Sequence, residues 1–219
     1  MHKIAIYDMD KTITRHPTVA PFLIHAFWRV APWRVLLVPL LGIASLGFLL
    51  KLVDRGRLKE ISVRLMIGPV MPVDMAKVLA QETLAGNILP DALAQIAADR
   101  AAGYRPVLAT ASLYFYSNEI GAIVGIPDVI ATMNEVRADG TISNRIAGEN
   151  CYGLAKLAKV QAWMAAQGID REAAHVKFYS DHVSDSPCLD YADEAFAVNP
   201  HAPLRAMAAQ KGWQVKEWC

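Results

Sequence analysis

Cysteine is scarce and follows no pattern. Cys151, Cys188 and Cys219 make an odd count without C-x-x-C spacing. That excludes a disulfide framework or a cysteine-based zinc site as an organising element, and it suits a reducing cytoplasm. Net charge is nearly absent, at +1, which by itself says nothing about partners; no nucleic-acid partner is expected. The chain has no internal repeat and no low-complexity linker. Residues 1–16 carry Asp8 and Asp10 in their only apolar run, unlike a secretory signal. No acidic side chain occurs between Asp10 and Asp54.

The balanced total hides an asymmetry. Residues 11–64 hold nine basic and two acidic side chains, and the remainder holds thirteen basic and nineteen acidic. A specialised basic segment therefore follows the N-terminal run. The 219 residues suffice for one large domain or a domain with an insertion.

Short apolar runs at Ile4–Tyr7, Pro106–Ala109, Val129–Met133, Val176–Tyr179 and Ala195–Val198 predict strands, with a last strand at Gln214–Glu217. Helices are predicted over Pro90–Ala102, Leu113–Val124, Gly153–Gln167 and Ala202–Gln210. Asp139-Gly140 predicts a hairpin turn within Glu135–Ile146. Alternating strands and helices predict an α/β fold with a mostly parallel sheet covered on both faces. The expected core is 1–16 plus 86–219. Residues 17–85 are expected to form an inserted, all-helical and strongly apolar cap after the first strand.

Chemistry concentrates at predicted strand ends. Asp8 and Asp10 leave the first strand together, where α/β sheets place ligands. Two carboxylates there can bind a hard cation, or one can attack while the other moves protons. Asp8-x-Asp10 alone is a weak signal. Thr110 ends the second strand, where its hydroxyl and the N–H groups of Ala111 and Ser112 suit a phosphoryl oxygen, or where it caps the next helix. Lys156 opens a helix and could offset anionic charge, although on spacing alone Lys156 and Lys159 serve equally well as solvated charges. Asp181 and Asp185 end the fourth strand, either as metal ligands or as caps.

In this order, Asp8-Met-Asp10-Lys-Thr12, Thr110, Lys156 and Asp181-x-x-x-Asp185 resemble the four motifs of the haloacid dehalogenase superfamily. Ala109-Thr110-Ala111-Ser112, Cys151-x-Gly153-x-x-Lys156 and Ala197-Val198-Asn199-Pro200 resemble its phosphoserine-phosphatase-like branch. The resemblance implies a Rossmann-like core and phosphomonoester hydrolysis through an aspartyl-phosphate on Asp8. It implies that Asp10 is the general acid and base, and that Thr110 and Lys156 hold the phosphoryl group. It also implies Mg²⁺ bound by Asp8, the Asp10 carbonyl and Asp181, with Asp185 in support. Thr12, Arg15, Ala111 and Ser112 complete the expected substrate contacts. Phosphoserine phosphatases place a carboxylate soon after the first motif to hold the substrate ammonium, and none is present here. Arg15 and His16 suit an anionic substrate instead.

Val35–Leu50 is a sixteen-residue block whose only polar side chain is Ser45. Trp28, Arg29, Trp33 and Arg34 precede it, and Lys51, Arg55, Arg57 and Lys59 follow. Aromatic and basic residues at both ends of an apolar block are the pattern of membrane-interface anchors; the alternative is a helix buried in the cap. A single crossing is excluded because motif residues lie on both sides of the block in sequence. As a helix it spans about 24 Å, short of a hydrocarbon core of about 30 Å. A hairpin dipping into one leaflet is the consistent picture. The insert resembles that of phosphatidylglycerophosphatase C, which implies a lipid phosphate substrate and a monotopic location on the cytoplasmic face of the membrane. A soluble cytoplasmic metabolite phosphatase, with the block buried in its cap or in a dimer, is the alternative, and a non-catalytic membrane-bound regulator a further one.

Overall fold

The computed structural model describes residues 1–219. Six parallel strands form one sheet in the order β3-β2-β1-β6-β7-β8. They are β1 (His2–Tyr7), β2 (Arg105–Leu113), β3 (Asp128–Thr132), β6 (Ala174–Ser180), β7 (Glu194–Val198) and β8 (Gln214–Lys216). A separate antiparallel pair, β4 (Asn134–Val136) and β5 (Ile142–Ile146), forms the hairpin expected at Asp139-Gly140. Each predicted strand is present.

Strand β1 lies in the middle of the sheet, paired with β2 and β6. Both faces are covered, so its run reads as continuously apolar rather than alternating. The alternation shows only in the packing. Ala5 and Tyr7 join a core of 27 buried residues on one face, and Ile4 and Ile6 join one of 18 on the other. α7 (Leu154–Ala166), α8 (Ser186–Tyr191) and α9 (Ala202–Lys211) supply the second core. α8 is a short helix that the sequence reading left out. It follows a 3₁₀ turn at Val183–Asp185.

Between β1 and α5 (Pro90–Ala101) the chain is helical in four segments: α1 (Val19–Val30), α2 (Val38–Leu49), α3 (Arg55–Met66) and α4 (Ala76–Leu84). The larger core continues into this segment through Phe22, Val63 and Leu79. α4 packs on α6 (Tyr114–Ile123), and Phe22 of α1 stacks on Tyr116 of α6 with ring centroids 4.1 Å apart. The two ends of the helical segment are joined. Thr14 and Ile88 form an antiparallel bridge, flanked by Arg15 N–H to Asn87 O at 2.8 Å and Leu89 N–H to Ile13 O at 2.9 Å.

α2 differs from the other helices. It has no buried residue, so this chain does not itself bury the apolar block in its cap. The lone hydroxyl of Ser45 donates to Leu41 O at 2.9 Å, so no side chain of the helix is left polar towards its surroundings. Leu36, Ile43 and Leu49 are 81%, 67% and 74% exposed. A 3₁₀ turn over Pro32–Leu37 leads into α2, and α2 packs against α3 across the connection 50–54 to form a helical hairpin.

Candidate active site

The middle position of β1 decides where the site forms. Its carboxyl end lies between those of β2 and β6, so Asp8, Thr110 and Asp181 reach one crevice from adjacent strands. Asp8 N–H extends the ladder to Tyr179 O at 2.9 Å. The chain then turns tightly through Asp10 and Lys11, with Lys11 at φ 60°. Ile13 and Thr14 N–H both close on Met9 O. Gly153 adopts φ 58°, ψ −129°, a conformation open essentially to glycine alone. That turn starts α7 so that Lys156, in its first turn, points into the crevice.

The crevice has a volume of about 270 Å³. Asp8, Asp10, Thr110, Ala111, Lys156, Asp181 and Asp185 all line it, so seven of the sequence-derived residues meet. Lys156 Nζ donates to Asp8 Oδ1 at 2.8 Å and to Asp185 Oδ2 at 2.6 Å. Ser180 Oγ adds a bond to Asp185 Oδ2 at 2.8 Å. Thr18 N–H and Oγ1 both donate to Asp10 Oδ1 at 2.8 Å. Thr110 Oγ1 accepts from Ser112 N–H at 3.1 Å. Thr110 is thus no cap for α6, and Ser112 N–H is already engaged. Lys159 is directed elsewhere, towards Ala131 O.

Three expected contacts do not reach the crevice. The Thr12 and Ser112 side chains are buried behind it, each with an unpartnered hydroxyl. Arg15 is exposed outside the lining. The register shift of β2 between Ala109 and Leu113 turns Ala111 to the crevice and Ser112 inward. In turn, Lys11, Arg55, Tyr152 and His182 line the crevice without having been singled out as site residues. Arg55 stands over the Tyr152 ring, 4.5 Å from its centroid. Lys59 lies behind, donating to Ala111 O and, at 2.7 Å, to Asn150 Oδ1.

Burial shapes the electrostatics. Desolvation pushes the Asp8 carboxyl up to about 8, with Lys156 opposing the rise. It lifts Asp181 to about 6, with Lys11 opposing, and raises Asp10 against the two Thr18 bonds. Burial opposes the charge of Lys156, yet Asp185 and Asp8 hold it well above the ordinary lysine value. Burial lowers Lys59 to about 8. Four carboxyl groups, Asp8, Asp10, Asp181 and Asp185, therefore share the crevice with three cationic side chains, Lys11, Arg55 and Lys156, of which Lys156 is committed to Asp8 and Asp185.

That surplus suits a hard cation. No three acid, histidine or cysteine side chains form a ready-made cage. The donors are nonetheless all oxygen, and Asp185 Oδ1 is buried without any hydrogen-bond partner. Oxygen donors in this setting fit Mg²⁺ rather than zinc or copper.

A parallel α/β sheet carries carboxylates clustered at the carboxyl end of its middle strand, and the sequence matches a hydrolase family over residues 5–190, the haloacid dehalogenase-like hydrolases. The chain belongs to this family. It is 30% identical over 117 residues to a phosphoserine phosphatase of Mycobacterium tuberculosis, covering 53% of this chain and 37% of that one. It is 29% identical over 217 residues to a probable phosphatase of the same species, covering 96% of this chain and 74% of that one. Its structure is similar to that of a protein of unknown function from Bordetella pertussis Tohama I, with a TM-score of 0.84, 25% identity and 99% and 98% of the two chains covered. The chain thus spans little more than a third of the phosphoserine phosphatase.

Proposed function

We propose that the chain is a phosphoric monoester hydrolase that works through a phosphorylated Asp8. The carrying observation is the pairing of two differently held carboxylates, Asp8 on Lys156 and Asp10 on Thr18. Asp8 attacks phosphorus as the ester P–O bond breaks, and Asp10 gives the leaving alkoxide its proton. Asp10 then takes a proton from water as that water attacks the aspartyl-phosphate, which frees phosphate and restores Asp8. Lys156 balances charge on Asp8 and the transferring group, and the Thr110 hydroxyl holds a phosphoryl oxygen. Asp8, the Asp10 carbonyl and Asp181, with Asp185 in support, would hold Mg²⁺, which would supply further positive charge against the phosphoryl oxygens. The names of the mycobacterial relatives support this reading.

The substrate we assign is a lipid or similarly amphiphilic phosphate such as phosphatidylglycerophosphate, met at a membrane surface on the cytoplasmic side. The exposure of α2 supports this. Its apolar surface has no cover, and the connection that ends it leads directly to Arg55 at the crevice. Residues on both sides of the block meet in one site, so the block enters and leaves the same face of a bilayer. Residues 17–85 then act as a membrane-facing cap on a core of 1–16 and 86–219. The absence of any acid between Asp10 and Asp54 leaves a substrate ammonium without its carboxylate from that stretch.

Purified protein should pellet with vesicles and release phosphate from phosphatidylglycerophosphate within them. Leu36→Asp/Ile43→Asp/Leu49→Asp should lose both properties while keeping hydrolysis of a soluble aryl phosphate. Wild-type protein that ignores vesicles and prefers a soluble metabolite ester would overturn the lipid assignment and favour the metabolite phosphatase.

A further inference from the structure

A second cleft lies between α3 and the β4–β5 hairpin, with a volume of about 550 Å³. It is separate from the catalytic crevice and larger than it. Residues spaced by three and four along α3 share one helix face, which brings Arg57, Glu60 and Arg64 to one wall. The hairpin brings Glu135, Arg137 and Arg145 to the other. The walls are tied together. Ile146 N–H donates to Glu60 Oε1 at 2.8 Å, Asn144 Nδ2 to Glu60 O at 3.3 Å, and Val70 bridges Ser143.

The charges do not cancel. Glu60 is already engaged, since its second oxygen accepts from Arg57 at 2.8 Å. Arg137 donates to Pro69 O at 2.6 Å. The guanidinium groups of Arg64 and Arg145 pair with no carboxylate, and Glu135 pairs with no basic side chain. Four guanidinium groups thus face two carboxylates in one concave site. Arg34, at the start of the exposed apolar segment, donates to Arg64 O at 2.9 Å. The apolar surface therefore begins at the rim of the cleft.

We propose that this cleft is an anion site for a phosphate group that is not the substrate. Arginine forks match phosphate oxygens in pairs, and the two free guanidinium groups supply them. The phosphate comes from an anionic lipid head group or from a soluble phosphate compound. The site does not depend on the catalytic reading and stands or falls by binding.

The test follows the arginine side-chain Nε–H resonances of the full chain during titration with inorganic pyrophosphate. The Arg64 and Arg145 signals should shift saturably, and chloride at equal ionic strength should not reproduce the effect. Absence of such shifts overturns the proposal. Arg64→Gln/Arg145→Gln, which breaks no bond within the protein, should keep soluble aryl phosphate hydrolysis. A second arm measures partition onto phosphatidylcholine vesicles with and without phosphatidylglycerol. If the double variant loses roughly tenfold in partition onto the anionic vesicles, and Lys77→Gln/Lys216→Gln loses less, the phosphate is a lipid head group. Saturable shifts with unchanged partition assign the site to a soluble phosphate compound. Loss of turnover in every form leaves these readouts intact, which separates the failure of the proposed activity from failure of the site.

Discussion

Thr18 gives both its backbone N–H and its hydroxyl to the same oxygen of Asp10, each at 2.8 Å. Oδ1 is thereby fixed and Oδ2 is the oxygen available to the crevice. Asp10→Asn should slow turnover of a soluble ester by roughly 10²–10⁴-fold, the usual contribution of a positioned acid and base. Thr18→Val removes one charge-assisted bond and keeps the other, so a loss of about tenfold is expected. Steady-state assays at saturating ester check both. Equal rates for wild type and Asp10→Asn would remove Asp10 from the mechanism.

Asp8→Asn should fold and yet release no phosphate, because an amide cannot form the aspartyl-phosphate. Lys156→Met has a different effect. It leaves Asp8 and Asp185 buried without their cation, at a cost of about 3–5 kcal/mol. Urea unfolding of the two variants beside wild type distinguishes them, since only Lys156→Met should show the large loss.

Without a bound cation, burial places Asp8 at about 8 and Asp181 at about 6 in the folded chain, against an ordinary value of 3.8. Between the ordinary and the raised value the folded state binds more protons than the unfolded state. Stability therefore falls as pH rises through that interval, which ends near 6 for Asp181 and near 8 for Asp8. Thermal unfolding of chelated protein should show a lower Tm at about pH 8 than at about pH 5, and Asp8→Asn should flatten much of the slope. A Tm that climbs over this range in wild type and is unchanged in slope by Asp8→Asn would contradict the assignment.

Mg²⁺ held, as proposed, by carboxylates that only folding brings together should raise the Tm of chelated protein. Asp181→Asn should abolish most of that rise, independently of any rate measurement. A full Mg²⁺-dependent rise in the Asp181→Asn protein would place the cation elsewhere. Chelation should also stop ester hydrolysis, and added Mg²⁺ should restore it.

Several residues of the candidate site were legible because they sit where short apolar runs end, and a run's end is visible without knowing its neighbours. Asp8, Thr110 and Asp181 are of this kind. Thr18 was not, since it belongs to the helical segment and reaches Asp10 only through the fold of the intervening turn. Arg55 read as one member of a basic flank, and only the packing of α3 against the site separates it from Lys51. Ala111 and Ser112 were both expected at the site, yet only Ala111 lines the crevice; the irregularity of β2 lies between Ala109 and Leu113, and residue spacing carries no trace of such a shift. The exposure of α2 was undecidable for another reason. A helix apolar on every side has no face from which burial can be read.

The bridge between Thr14 and Ile88 fastens the departing and returning strands of a long excursion at a single point. Within that excursion Thr18 and Lys59 bond to crevice residues and Arg55 lines the crevice, while the separation of Asp8 from Thr110 is fixed by the pairing of β1 with β2. Changes confined to the exposed face of α2 should therefore leave the spacing of the crevice carboxyls as it is.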